Sequence, residues 1–178
     1  MDYEQYDENP YDAPIYFNNA GLVILAPFIQ TLFERAGITE DRNFVSDEKR
    51  SRGVLLLHYA ATGSSKFETP ELCLPKILSG FSISREIDYN AKPDEHNLKL
   101  VISLLESVIQ QWRPLGNTSV QGLRESFIQR EGRSASEEDK YILKVEKKAI
   151  DVLLDQLPWS ISLIKLPWMS KPLYVNWR

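Results

Sequence analysis

Proline and glycine divide this chain so often that no long uninterrupted element is available to it. Prolines at 27, 70, 75, 93, 114, 158, 167 and 172 and glycines at 37, 63, 80, 116 and 132 leave only short amphipathic pieces between them. Such pieces cannot bury their apolar faces alone, so they must pack on one another in a compact body. The same punctuation is duplicated near the C-terminus. Leu157-Pro158-Trp159 and Leu166-Pro167-Trp168 repeat one tripeptide nine residues apart, the second followed by Met169. Each places a rigid break and a large flat side chain at one end of Ser160 to Lys165, which marks that stretch as a short strand held between two corners.

Upstream the periodicity is helical. Asn18 or Asn19 is placed to cap a first helix that runs to about Ala36, with Leu22, Leu25, Ile29, Leu32 and Phe33 on one stripe and Gly37 as a left-handed stop. Pro27 should bend it. Ser46 caps a second helix, Asp47 to about Thr62, ended by Gly63-Ser64-Ser65; a short third covers Pro70 to Leu78 before Gly80. Pro93 and Asp94 open a fourth that reaches Trp112, with Leu98, Val101, Ile102, Leu105, Val108 and Ile109 in helical spacing. Thr118 and Gln121 form a capping-box pattern for a fifth helix through Arg130, stopped by Gly132.

The period then changes to two. Tyr141, Leu143 and Val145 alternate with Lys144 and Glu146 as in a strand, Ala149 to Leu157 returns to helical spacing, and Ile161 to Leu166 and Leu173 to Trp177 read as two more strands. The expected class is α+β: about five helices followed by a small, mostly antiparallel sheet of about three strands. The expected organisation is an acidic, tyrosine-rich flexible arm over 1–16 and one globular domain over 17–178, helical through 132 and sheet-forming from 140.

Charge narrows the partners. Residues 1–16 hold Asp2, Glu4, Asp7, Glu8 and Asp12 and no Lys or Arg, so the rest of the chain carries 21 basic against 20 acidic residues, a net of +1. A nearly neutral body lacks the concentrated basic surface that phosphate binding requires, so nucleic acid is not an expected partner. No run approaches the roughly 20 apolar residues of a membrane span, even Ala20 to Phe33 being interrupted by Pro27 and Gln30, and direct membrane insertion is not expected. The acidic start is the reverse of a signal peptide's order, which points to a soluble, non-secreted chain.

Catalytic chemistry is not signalled. His58 and His96 are the only histidines and neither has metal-ligand spacing or a nucleophile partner; the single Cys73, between Leu72 and Leu74, reads as a small buried hydrophobe. Asp151 with Asp155 and the run Glu137-Glu138-Asp139 read as solvated faces, and Gly116-Asn117-Thr118-Ser119 lacks the lysine and spacing of a phosphate loop. No catalytic residue, metal or cofactor is expected. Arg124 and Arg130 with Glu125 and Glu131 suit exposed ion pairs on the fifth helix, the alternative being that the arginines bind a partner's carboxylate. Trp112, Trp159, Trp168 and Trp177 with Met169 exceed what one small sheet needs inside, and large aromatics with a polar edge are frequent in interfaces. The candidate partner interface is therefore Trp159, Trp168, Met169, Trp177 and Arg130, joined by Tyr3, Tyr6 and Tyr11 of the arm.

Four ordered segments carry a likeness: Asn18 to Phe28 (NNAGLVILAPF), Leu74 to Gly80 (LPKILSG), Asn117 to Arg124 with Phe127 to Gly132 (NTSVQGLR and FIQREG), and the Leu-Pro-Trp pair ending in Met169. Together they span nearly everything from Asn18 to Trp177, and the chain resembles the bacterial contractile injection system tape measure proteins. The resemblance implies a structural part of a phage-tail-like particle, assembled in the cytoplasm, within a particle that is released or membrane-anchored. It further implies baseplate hub or spike and inner tube subunits as partners and a homo-oligomer, a trimer or hexamer. Family members are often much longer, with this pattern at the C-terminal end. One unbroken helix of this length would reach only about 270 Å, and a compact body of this size has a radius of gyration near about 16 Å. A globule cannot measure a long tube, so an anchoring or plug role at the hub or tube end is expected. The alternative is an adaptor or assembly chaperone that binds cargo or particle subunits without staying in the particle.

Overall fold

The computed structural model describes residues 13–178. Tyr3, Tyr6 and Tyr11 lie outside the described residues. Within them the chain is α+β, and the two longest helices begin where their caps place them. Helix α2, Asp47–Thr62, starts behind Ser46, whose hydroxyl accepts the Lys49 amide at 3.1 Å; Gly63 closes it at φ 72°. Helix α4, Glu95–Gln111, starts behind Asp94, which exchanges side-chain to backbone bonds with Asn97. Losing such a cap costs about 1 kcal/mol. Ser46→Ala should therefore lower stability by about that much in a urea titration, with the midpoint shifted and the slope unchanged.

The expected first helix is two structures. Ala20–Leu25 is a 3₁₀ stretch buried on every side, and α1, Ala26–Arg35, follows it. Pro27 therefore bends nothing inside a helix; it sits in the first turn of α1, where its missing N–H removes no helical bond. Asn19 precedes the 3₁₀ stretch without capping it, its side-chain Nδ2 donating to the Glu71 carbonyl instead at 2.9 Å. The third helix is likewise composite, 3₁₀ over Thr69–Leu72 and α3 over Cys73–Leu78.

The fifth helix is shorter than its pattern. Ser119, not Thr118, accepts the capping bond, from the Gly122 amide; α5 covers Val120–Leu123 and then widens into a π-turn, Arg124–Ile128. Gly132 is no helix stop but the first residue of a strand.

The sheet is larger than expected. Strands β1 (Ile15–Phe17), β4 (Gly132–Ser136), β5 (Tyr141–Val145), β6 (Leu163–Ile164) and β7 (Leu173–Asn176) run in the order β1-β4-β5-β7-β6, and β2 (Thr39–Glu40) with β3 (Asn43–Phe44) forms a separate hairpin. All neighbours in the main sheet are antiparallel except β5 and β7, which are parallel. Two of these strands were invisible to pattern. Residues 15–16, expected in the arm, pair with β4, and β4 itself reads Gly-Arg-Ser-Ala-Ser, where only Ser134 is fully inward. The helices pack on the inward face through Leu143, Val145, Ile164, Leu173 and Trp177, around a core of Leu22, Ile24, Ile29, Phe33, Leu57, Leu105, Val108, Trp112 and Phe127. A smaller cluster of Val54, Leu55, Leu72, Phe81 and Ile87 closes the far side of α2.

Candidate functional site

Segments far apart in sequence meet at one buried seam. The 3₁₀ stretch Ala20–Leu25 lies against the π-turn, with the Ala20 amide bonded to the Arg130 carbonyl at 2.9 Å. The approach is so close that a β-carbon on Gly21 would stand 1.8 Å from the Phe127 carbonyl oxygen and 2.6 Å from the Ile128 α-carbon. Above the seam opens a polar cleft of about 530 Å³, lined by Asn18, Asn19, Thr62, Glu71, Gln129, Glu131, Glu146 and Lys148. The buried Asn19 Oδ1 has no hydrogen-bond partner there. The Thr62 hydroxyl donates to the His58 carbonyl of its own helix at 2.9 Å and stands 3.5 Å from His58 Nε2.

The arginines are not exposed pairs. Arg124 reaches back to the C-terminal end of α2, donating from Nε to the Ala60 carbonyl at 3.0 Å and from Nη2 to the Tyr59 carbonyl at 3.2 Å, while Gln129 Nε2 takes the Ala61 carbonyl. The Ala60 and Ala61 carbonyls are ones the helix end leaves without backbone partners, whereas that of Tyr59 also accepts the Gly63 amide at 2.7 Å. Burial lowers the pKa of Arg124, and Tyr59 opposes the shift. Arg130 and Asp151 are about 1% exposed and bonded at 2.8 Å, Nη1 reaching both carboxylate oxygens. Arg130 also donates to the Ser126 and Glu146 carbonyls, and Asp151 accepts from the Lys148 amide and from Trp177 Nε1. The expected solvated pair Asp151 and Asp155 is therefore split. Asp155 is at the surface with Arg178, whose hydrogen bond holds its carboxyl below the ordinary range.

This geometry sorts the expected interface residues. Arg130, Met169 and Trp177 are 0%, 4% and 1% exposed and hold the interior together, so none of the three can touch a partner in this fold. Trp159 and Trp168 are partly exposed, yet both indoles point inward. Trp159 Nε1 donates to the Ile24 carbonyl at 2.9 Å, with Phe28 edge-on to its ring. A 3₁₀ bond to that carbonyl would have to come from residue 27, a proline with no N–H. Trp168 Nε1 donates to the Leu78 carbonyl at the end of α3 at 2.7 Å, its ring stacked on Phe33 and tilted against Phe44. Each Leu-Pro-Trp corner thus delivers an indole N–H to a carbonyl of the helical layer. Trp168→Phe keeps the stacking and orphans that carbonyl, for an expected loss of about 1 kcal/mol, whereas Trp168→Ala should cost about 3 kcal/mol; chemical denaturation of both variants separates the bond from the packing.

What the helices leave uncovered is the other face of the sheet. Strand register aligns its outward residues in two rows. Ala135 pairs with Ile142, Ile142 with Tyr174 and Tyr174 with Leu163, an apolar row across four strands; beside it Tyr16 pairs with Arg133, Arg133 with Lys144 and Lys144 with Asn176. Tyr16, Leu163 and Tyr174 are 68%, 53% and 45% exposed. Lys140 Nζ stands 5.5 Å from the Tyr174 ring centre. Pro14 joins Arg133, Ala135, Ile142 and Lys144 around a shallow depression of about 340 Å³ on the same face. Sequence reading missed this surface because β4 and β6 carry no alternation long enough to register; the pairing of Leu143 and Val145 against outward Lys144 was its one signal.

The remaining reactive side chains are structural in placement. His58 is 1% exposed, with Nε2 2.8 Å from the Lys66 carbonyl. Burial pushes the Cys73 thiol up, against a smaller opposing effect of Lys76. No group of three His, Cys, Asp or Glu among the described residues could hold a metal ion, and no described helix is long and apolar enough to cross a membrane.

A family model described as contractile injection system tape measure protein matches residues 2–177. The chain belongs to that family. No curated protein and no solved structure matches it significantly. As a contractile injection system tape measure protein it has a tape-measure-related structural role in a phage-tail-like particle, which implies contact with other particle subunits. The motifs behind the resemblance are, in this member of the tape measure family, the seam and its fastenings: Asn18 to Leu25 against Phe127 to Gly132, and the two tryptophan corners against α1 and α3.

Proposed function

We propose that this tape measure family chain acts as a non-enzymatic anchoring or plug domain at the baseplate hub or inner tube end, docking through the outer face of its sheet. The observation that carries the reading is the apolar row Ala135, Ile142, Tyr174 and Leu163, flanked by Arg133 and Lys144. Outward positions of a one-sided sheet are ordinarily polar, and a contiguous apolar strip rimmed by charge suits a protein partner. Short amphipathic pieces sharing one core support a compact body rather than a ruler. Assembly takes place in the cytoplasm, in several copies around the particle axis. The buried Arg130, Met169 and Trp177 serve this role by holding the sheet on the helices, while Tyr3, Tyr6 and Tyr11 remain candidates for the contact itself.

Tyr174→Glu with Leu163→Glu tests it. Both positions are exposed, so the double variant should fold with an unchanged far-ultraviolet spectrum and a melting temperature within a few degrees of the parent. Purified particles should then contain at least about tenfold less of it, the ratio that about 1.4 kcal/mol of lost docking energy produces. Incorporation at the parental level, with tubes of normal length, would remove the sheet face from consideration. Normal, active particles in a deletion strain would sink the structural role as a whole. Association with cargo and absence from purified particles would favour the adaptor reading instead.

A further inference from the structure

The polar cleft above the seam is acidic and unsatisfied. Glu71, Glu131 and Glu146 line it against a single cation, Lys148, and none of the four makes an ion pair among the described residues. Part of its wall is the Asn19 amide, only 2% exposed. Nδ2 of that amide is fastened to the Glu71 carbonyl, which leaves Oδ1 as a buried acceptor with no partner. A buried polar atom without a hydrogen bond costs free energy, and an incoming N–H supplies the missing bond. Asn18, Glu71 and Glu131 also line a neighbouring depression of about 400 Å³, where Glu68 joins them. Four carboxylates thus border the two connected hollows, opposed by one lysine.

We infer that this groove binds a basic segment of another polypeptide, with one arginine side chain seated in the cleft. The guanidinium suits the acceptors. Its planar fork of five donors can meet Asn19 Oδ1 and the carboxylates together, and it sheds water more readily than an ammonium does. A divalent cation does not suit them, because no group of three carboxylates among the described residues converges as metal ligands. About 530 Å³ holds one long side chain, and the neighbouring depression leaves room for the residue beside it. Glu131 and Glu146 are exposed, so each contributes little alone; the strength comes from several acceptors around one group and falls with salt. That the segment belongs to a particle subunit rests on the family's structural role. The chemistry of the groove does not, and the groove shares no residue with the apolar row from Ala135 to Leu163.

Titration of the full chain with the acetylated, amidated peptide Lys-Gly-Arg-Gly-Lys, followed by amide NMR, tests the site without the particle. Saturable shifts should centre on the Asn19 and Gln129 side-chain amides and on Thr62. Citrulline in place of the arginine keeps its shape and removes its charge, and should weaken binding at least about tenfold; Glu131→Gln with Glu146→Gln should do so by at least about fivefold. A central lysine should bind about threefold or more weakly than arginine. Shifts that scatter without saturating, or equal affinity of the citrulline peptide, overturn the inference. Equal affinity of the lysine peptide overturns the guanidinium assignment, and equal binding of spermidine at the same residues overturns a polypeptide as its source. The Tyr174→Glu and Leu163→Glu variant keeps the groove and should bind the peptide as the parent does, so failure here and failure of sheet-face docking are read separately.

Discussion

Gly21→Ala should leave no stable folded protein. The added methyl has to occupy a point 1.8 Å from the Phe127 carbonyl oxygen and 2.6 Å from the Ile128 α-carbon, and both are backbone atoms that no rotamer change can move aside. Relief requires the 3₁₀ stretch to back away from the π-turn by more than an ångström, which breaks the Ala20 to Arg130 bond and opens a gap in the most buried part of the core. Losses above about 4 kcal/mol come from such mechanisms and approach the whole stability of a domain. Gly37→Ala is the informative control. Gly37 sits at φ 70° with open space around it, so alanine there meets only the left-handed backbone penalty, about 1 kcal/mol. Urea unfolding of both proteins decides the matter: comparable midpoints would mean that the seam yields, and that its closeness is not what excludes a side chain.

Asp151→Ala is the second large effect. It leaves the Arg130 guanidinium buried with no counter-charge and takes an acceptor from the Lys148 amide and from Trp177 Nε1 at once. Removing one partner of a buried ion pair costs about 3–5 kcal/mol, because the surviving charge stays desolvated. Arg130→Met should cost a similar amount. The double variant Arg130→Met with Asp151→Ala should cost less than the two added together, by about 1–3 kcal/mol, since no lone charge then remains. Strict additivity in denaturant titrations would show that the two side chains act on separate parts of the fold. The expected non-additivity ties together the π-turn, the 3₁₀ stretch Ala149–Gln156 and Trp177 just beyond β7, which the pair joins.

The helical half was legible where local chemistry is decisive. Ser46 and Asp94 are strong caps followed by long periodic runs, and the observed helices start directly after them. The sheet half was legible at β5, whose alternation is clean, at β7, expected over Leu173 to Trp177 and observed over Leu173–Asn176, and in part at β6; β1 has three residues and β4 nearly no apolar ones, so their pairing is decided by neighbours rather than by their own residues. Arg124, Arg130 and Asp151 were misread for one reason. Charge in an amphipathic pattern predicts a solvated face, and burial of a guanidinium depends on carbonyls supplied from far away, Tyr59 and Ala60 for Arg124 and Glu146 for Arg130. The Leu-Pro-Trp pair was read correctly as two corners, but the strand between them is only Leu163–Ile164, and the carbonyls that orient its indoles lie 135 and 90 residues upstream. The outer sheet face could emerge only once register was known.

The position of β7 sets the order of events when the protein is made. Leu173–Asn176 is laid parallel to β5 and antiparallel to β6, between them, so the last of the described strands to be made is an interior one. Until it arrives, β5 has an open edge, β6 has nothing to pair with, and Asp151 lacks the indole of Trp177. The helical half, built from nearer contacts, can gather first, while the sheet must wait for β7. A ribosome stalled before residue 173 would thus hold a partly assembled chain with unpaired strands, the state in which chaperone capture and edge-to-edge aggregation are most probable.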